Sequence, residues 1–213
     1  MKPKVLYIMS SYNIYGGTPK KTLDLMKFFK ENSVLYVYNN TYQEFKYLFE
    51  NTGGKVYEGF YEKNYFKHLN KLLKIVKDNN VDIVQTQFSM GETLGYLLKK
   101  FNPKIKLVAA FVGSNKPSTI KSVFLNQIYK KVDYFIYVSK YVKREKENQF
   151  PLLLKKESKV IYNGAELRED LGDGEVNLKR ISILGIAGLT DIKNIKVLIN
   201  AFNILVNLKK NKN

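Results

Sequence analysis

Short apolar runs alternate with longer segments of helical period along most of this chain, and that alternation restricts its fold more than any other feature. Lys4–Ser10, Val34–Tyr38, Lys55–Gly59, Val81–Gln87, Ile105–Val112, Tyr134–Ser139 and Lys159–Tyr162 read as strands. Between them, apolar residues recur at helical spacing. Thr18 is placed to cap the first helix with Pro19 at its first position, followed by Leu23, Met26 and Phe29. Further helices are expected at Thr41–Phe49, Tyr65–Asp78, Glu92–Lys100, Thr119–Lys131 and Lys140–Asn148. In Tyr65–Asp78, Leu69, Leu72, Leu73 and Val76 share one face, while Lys67, Lys71, Lys74 and Lys77 mostly face water. Strands that alternate with helices give an α/β protein: a doubly wound, Rossmann-like parallel sheet with helices on both faces. Ligands of such sheets gather beyond the carboxyl ends of the strands. That directs attention to Ser11–Gly17, Gln85–Gly91, Val112–Pro117, Ser139 and Asn163–Gly164.

The pattern changes after Ala165. AELREDLGDGEVNLK (Ala165–Lys179) carries glycines and acids with little periodicity. After it, Arg180–Leu205 reads as a new strand, a glycine loop and an amphipathic helix. The expected organisation is one domain over 1–165, a linker at 166–179 and the first βα unit of a second domain over 180–213.

The net charge is +17, from 33 lysines and only 3 arginines against 19 acids. Such a surface attracts anionic partners, but readers of nucleic acid favour the bidentate arginine fork, so nucleic acid is not an expected partner. Lysine-rich helical faces such as Lys67/Lys71/Lys74 are ordinarily solvated; their functional reading is peripheral contact with an anionic membrane. With no cysteine, disulfides, thiol nucleophiles and thiolate metal sites are excluded. The single histidine, His68, excludes a histidine-based metal centre and is expected at the surface or its boundary. The first apolar run is too short for a signal peptide, and the longest, Leu107–Val112, cannot span a bilayer. A cytoplasmic protein is expected, peripheral at the inner membrane face.

Several loops carry chemistry-bearing residues. Gly16 and Gly17 stand between a strand and a helix, where a backbone can approach an anion at a helix N-terminus, although a plain turn needs the same residues. Tyr12 and Tyr15 flank that loop and are candidates to stack on a sugar ring. Gln85 and Gln87 alternate at a strand end, where their amides can reach one space and meet sugar hydroxyls, or merely solvent. Ser139 can serve a ligand or cap the next helix. Asn163-Gly164 is a turn dipeptide on any reading.

Taken in order, these segments resemble the group 1 glycosyltransferases, the retaining enzymes of GT-B fold. Tyr15–Leu25 is similar to their Gly-Gly loop and helix, Val81–Gln87 to a "PDIVHTH" strand, and Phe111–Asn115 to a "THGSD" loop. Val138–Lys143 resembles "AVSxxxK", Val160–Glu166 "VIPNGVD", and Ala187–Asn194 "VGRLxxxKN". The resemblance implies transfer of a sugar from a nucleotide-sugar to a glycan or lipid-linked acceptor, with no metal cofactor. It implies donor-phosphate contacts at Gly16, Gly17 and Lys193. Acceptor or sugar contacts are implied at Tyr12, Tyr15, Gln85, Gln87, Gly113, Ser114, Ser139, Asn163 and Gly164. This chain would be the acceptor domain with the start of the donor domain, inactive alone; the alternative is a non-catalytic acceptor- or membrane-binding subunit of a two-chain enzyme. The departures concern charge and proton transfer. The family's strand-end histidines are Gln85 and Gln87, its loop histidine is Val112, and its "GRL" arginine is missing from Ala187-Gly188-Leu189-Thr190. No residue is therefore assigned the catalytic role.

Overall fold

The computed structural model describes residues 2–59, 64–164, 184–187 and 191–210. Seven strands form one sheet: β1 (Val5–Met9), β2 (Ser33–Val37), β3 (Lys55–Glu58), β4 (Ile83–Thr86), β5 (Lys106–Phe111), β6 (Tyr134–Tyr137) and β7 (Ser158–Val160). Their order is β3-β2-β1-β4-β5-β6-β7, and every pairing is parallel. This is the expected α/β, Rossmann-like fold. The helices are α1 (Gly17–Phe29), α2 (Lys46–Glu50), α3 (Tyr65–Asp78), α4 (Phe88–Phe101), α5 (Thr119–Lys131) and α6 (Lys140–Gln149), with α7 (Ile195–Lys210) beyond them.

Alternation along each strand divides the core in two. Val5, Tyr7 and Met9 of β1 pack with Leu23 and Met26 of α1, Leu35 and Val37 of β2 and Phe49 of α2. Leu6 and Ile8 face the other way, into a larger core with Leu72 of α3, Leu98 of α4, Ile128 of α5 and Val142 of α6. The order of strands reverses between β1 and β4, so the loop after β1 and the start of α4 flank the crevice where such sheets bind ligands.

Three local expectations are corrected. The first helix is not capped by Thr18: it begins at Gly17, with extended Gly16 (φ −86°) at the N-cap and no side-chain cap. Pro19 falls inside the first turn, where its missing N–H has no partner to lose. The fourth helix starts at Phe88 rather than Glu92, and Phe88 has φ 63°. His68 is not at the surface. It is fully buried, and its Nδ1 shares a 2.7 Å hydrogen bond with the Tyr36 hydroxyl. The inward stripe of α3 includes His68 beside Leu69, Leu72, Ile75 and Val76, and the tyrosine satisfies its polarity.

The chain separates into two compact units, Met1–Ala165 and Glu166–Asn213. In the second, a 3-10 turn at Asp191–Lys193 precedes α7. The expected linker lies outside the described residues, as do most of the strand and glycine loop expected after it.

Candidate functional site

All seven strands run parallel, so the loops after them collect along one edge of the sheet. At the crevice, Gly16 donates its N–H to the Asn13 carbonyl at 3.0 Å, and the Asn13 side chain accepts from the Tyr15 N–H at 3.1 Å. This tight turn delivers the chain into α1. A Cβ at Gly16 would meet Asn13 O at 3.3 Å, whereas one at Gly17 would meet nothing within 4 Å. Neither glycine has positive φ, so close approach, not a left-handed backbone, gives them a use here. Tyr15 is 83% exposed, with its ring edge-on to Phe45.

Tyr12 cannot stack on a ligand. It is fully buried against Phe49, and its hydroxyl donates to Glu58 at 3.3 Å. Gln85 and Gln87 are also enclosed rather than open to hydroxyls. Gln87 donates to the Thr22 hydroxyl of α1 at 3.4 Å, and its amide oxygen is buried with no partner among the described residues. Alternation fixes which side a strand residue takes, but not what covers it, and here Thr22 of α1 lies against Gln87. Ser139 caps α6, accepting from the Val142 N–H at 3.1 Å. Asn163 and Gly164 are exposed beyond β7. Lys193 is exposed in the second unit.

Beside the crevice a cavity of about 520 Å³ opens between the first turn of α4, the end of β5, the following loop, α5 and α6. Gly113 lines it, while Ser114 lies behind, its carbonyl accepting from Gln149 at 2.9 Å. Its polar wall escaped the sequence reading. Glu92 (6% exposed) accepts from the Tyr129 hydroxyl at 3.4 Å, and burial pushes its carboxyl up to about 7 against the opposing pull of Lys146, Tyr129 and Lys121. Lys146 (7% exposed) donates to the Asn115 carbonyl at 2.9 Å and to Gln149 at 3.2 Å, with its ammonium 5.5 Å from the centre of the Phe111 ring. Burial lowers its pKa, Glu92 works in the opposite direction, and Lys121 adds to the lowering. The available signal was an ionisable residue on the inward face of each helix: Glu92 three residues before Gly95, and Lys146 four after Val142. Phe88, at the cavity mouth, holds the left-handed backbone that bulky residues rarely adopt, the kind of local cost that concentrates at functional sites.

The profile of Glycosyltransferase Family 4 matches residues 34–169, well over half of the chain. The chain belongs to this family. Among curated proteins nothing matches. Solved structures share the fold. A glycosyltransferase from Rickettsia africae ESF-5 is 18% identical, with a TM-score of 0.60 over 77% of this chain and 44% of its own. Anabaena Alr3699/HepE, solved with UDP and glucose, is 16% identical, with a TM-score of 0.59 over 78% of this chain and 45% of its own. The lipopolysaccharide outer core galactosyltransferase WaaB, in apo form, is 13% identical, with a TM-score of 0.57 over 78% and 47%. The Family 4 chain described here thus spans less than half the length of these structures. No helix among its described residues is long and apolar enough to cross a membrane.

Proposed function

We propose that this chain is the acceptor-binding half of a retaining glycosyltransferase that moves a sugar from a nucleotide-sugar donor to a glycan or lipid-linked acceptor. The family match over residues 34–169 carries the reading, because that span includes the start of α4 and the loops that bound the cavity. The ligands of the HepE structure, UDP and glucose, support a nucleotide-sugar as donor. In this reading the Gly16-Gly17 turn approaches the donor phosphates, Lys193 supplies a cation to them, and no metal takes part. Phosphate charge on the leaving group is met by such preorganised donors rather than by covalent chemistry. Contact with an anionic membrane at the cytoplasmic face is part of the proposal, supported by the charge of +17 and by exposed Lys67 and Lys74 on α3.

Calorimetry of the 213-residue chain with UDP-glucose and GDP-mannose in EDTA tests the division of labour. Weak binding and no turnover are expected, with metal-independent binding restored when a donor-binding domain is supplied. Micromolar donor binding by the chain alone would place the donor site within it and end the two-half reading. Inversion of the anomeric configuration in the product would exclude retention.

A further inference from the structure

The glycosyltransferase reading gives no task to the polar wall of the cavity, and that wall has unused bonding capacity. A protonated carboxyl group has one O–H donor and further acceptor sites; among the described residues Glu92 gives one acceptor site to a long bond from Tyr129. An ammonium has about three donors; Lys146 uses two, on Asn115 and Gln149. Both side chains are more than nine-tenths buried, where unmet polarity is costly. Lys116 and Lys121 also line the cavity, so it holds three cations against one carboxyl. Phe88, Phe111 and Leu125 give it an apolar wall of the kind that accepts the C–H face of a sugar ring. Its volume, about 520 Å³, falls within the range of small-molecule sites.

We infer that this cavity is a subsite for an acidic sugar unit of the acceptor: Lys146, Lys121 and Lys116 take up a phosphate or carboxylate on that sugar, and Glu92 hydrogen-bonds one of its hydroxyls. Only the word acceptor rests on the transferase reading; the anion site rests on the cavity itself. The groups facing Glu92 are Tyr129 and Lys121 of α5, Lys146 of α6 and Tyr38 after β2, which feels the carboxyl's charge. As pH rises through about 7, Glu92 ionises and opposes a bound anion, so anion affinity falls.

Amide NMR titration of the chain tests this with sulfate, glucose, glucose 1-phosphate and glucuronate at pH 6 and pH 8. Sulfate keeps its charge across that interval, so a change in its affinity reports on the protein. Saturable sulfate shifts are expected around residues 88–92 and 112–116, weaker at pH 8, with the pH effect abolished in Glu92→Gln. Glucose 1-phosphate or glucuronate should bind roughly tenfold more tightly than glucose, and the better of the two identifies the acid. Lys116→Ser combined with Lys121→Ser, both at exposed positions, should lose about that factor without unfolding. Equal affinity for glucose and its acidic derivatives would overturn the inference. So would shifts that never saturate at the cavity, or an unchanged affinity in the double variant. Turnover of a nucleotide-sugar, measured separately with the donor half present, distinguishes the two claims. Turnover without anion selectivity overturns this inference alone, whereas anion selectivity without turnover sustains it and overturns the transferase reading.

Discussion

Burial leaves Glu92 with a proton that an exposed carboxyl would have lost, and this makes the cavity sensitive to pH near neutrality. Its folded pKa of about 7 stands above its ordinary value of 4.5. The folded state therefore binds the proton more tightly than the unfolded chain. The resulting stability is fully present below pH 4.5 and is lost as pH rises through about 7. Urea unfolding should show Glu92→Gln gaining on wild type by up to about 3 kcal/mol between pH 5 and pH 8. A parallel pH dependence in the two proteins would show that Glu92 ionises normally. Two tyrosines near the glycine loop offer a second comparison, because one is core and the other is surface. Tyr12→Ala should cost about 3–5 kcal/mol, since a fully buried ring leaves a cavity. Tyr15→Ala should change stability by less than about 1 kcal/mol, and its effect should appear in sugar binding instead. Equal stability losses would contradict the placement of these two rings.

Among the elements, α4 packs tightly on the sheet, and a glycine permits it. A Cβ at Gly95 would lie 2.5 Å from Thr86 Cγ2 and 2.8 Å from Leu107 Cδ1, side chains of β4 and β5. Gly95→Ala must displace the Thr86 and Leu107 side chains or the helix itself, at a cost of about 1–3 kcal/mol, in the helix whose Phe88 and Glu92 line the cavity. Gly17→Ala meets open space at the first position of α1 and should be neutral or stabilising by about 0.5 kcal/mol. Thermal unfolding of the two variants checks the contrast; a drop in both would mean that the glycine loop is packed. The helix periods were legible in the sequence. Tyr65–Asp78 and Thr119–Lys131 are observed with the expected ends because their apolar spacing is unbroken. The start of α4 was not legible, since a bulky residue at positive φ gives no compositional signal.

For the whole molecule, the two hydrophobic cores are contained in the first unit. Their buried residues run from Val5 to Leu153, and no described residue of the second unit belongs to them. A chain ending at Ala165 should therefore unfold cooperatively with a transition within a few degrees of the 213-residue protein. A large fall, or loss of cooperativity, would show that residues beyond Ala165 complete the core. Within the first unit, α1 and α2 pack beside β1–β3, while Val108 of β5 and Tyr134 and Ile136 of β6 remain half-exposed on the sheet face opposite α3–α6.

The sequence by itself determined the architecture. Apolar runs separated by helical periods can bury their faces only as a layered α/β sheet, and strictly parallel order with right-handed crossovers follows from that alternation. It also placed the candidate loops along one edge, because parallel strands all end on the same side. Tertiary structure alone decided which side chains those loops present. Tyr12, Gln85 and Gln87 lie at or just beyond strand ends that period-two alternation treats as open, yet all three are buried, Tyr12 against Phe49 of α2 and Gln87 against Thr22 of α1. Glu92 and Lys146 were passed over because charged residues on helices are ordinarily solvated. They meet at one cavity only after helices more than fifty residues apart in the chain are packed together, and the shared burial that perturbs both groups is a property of that packing.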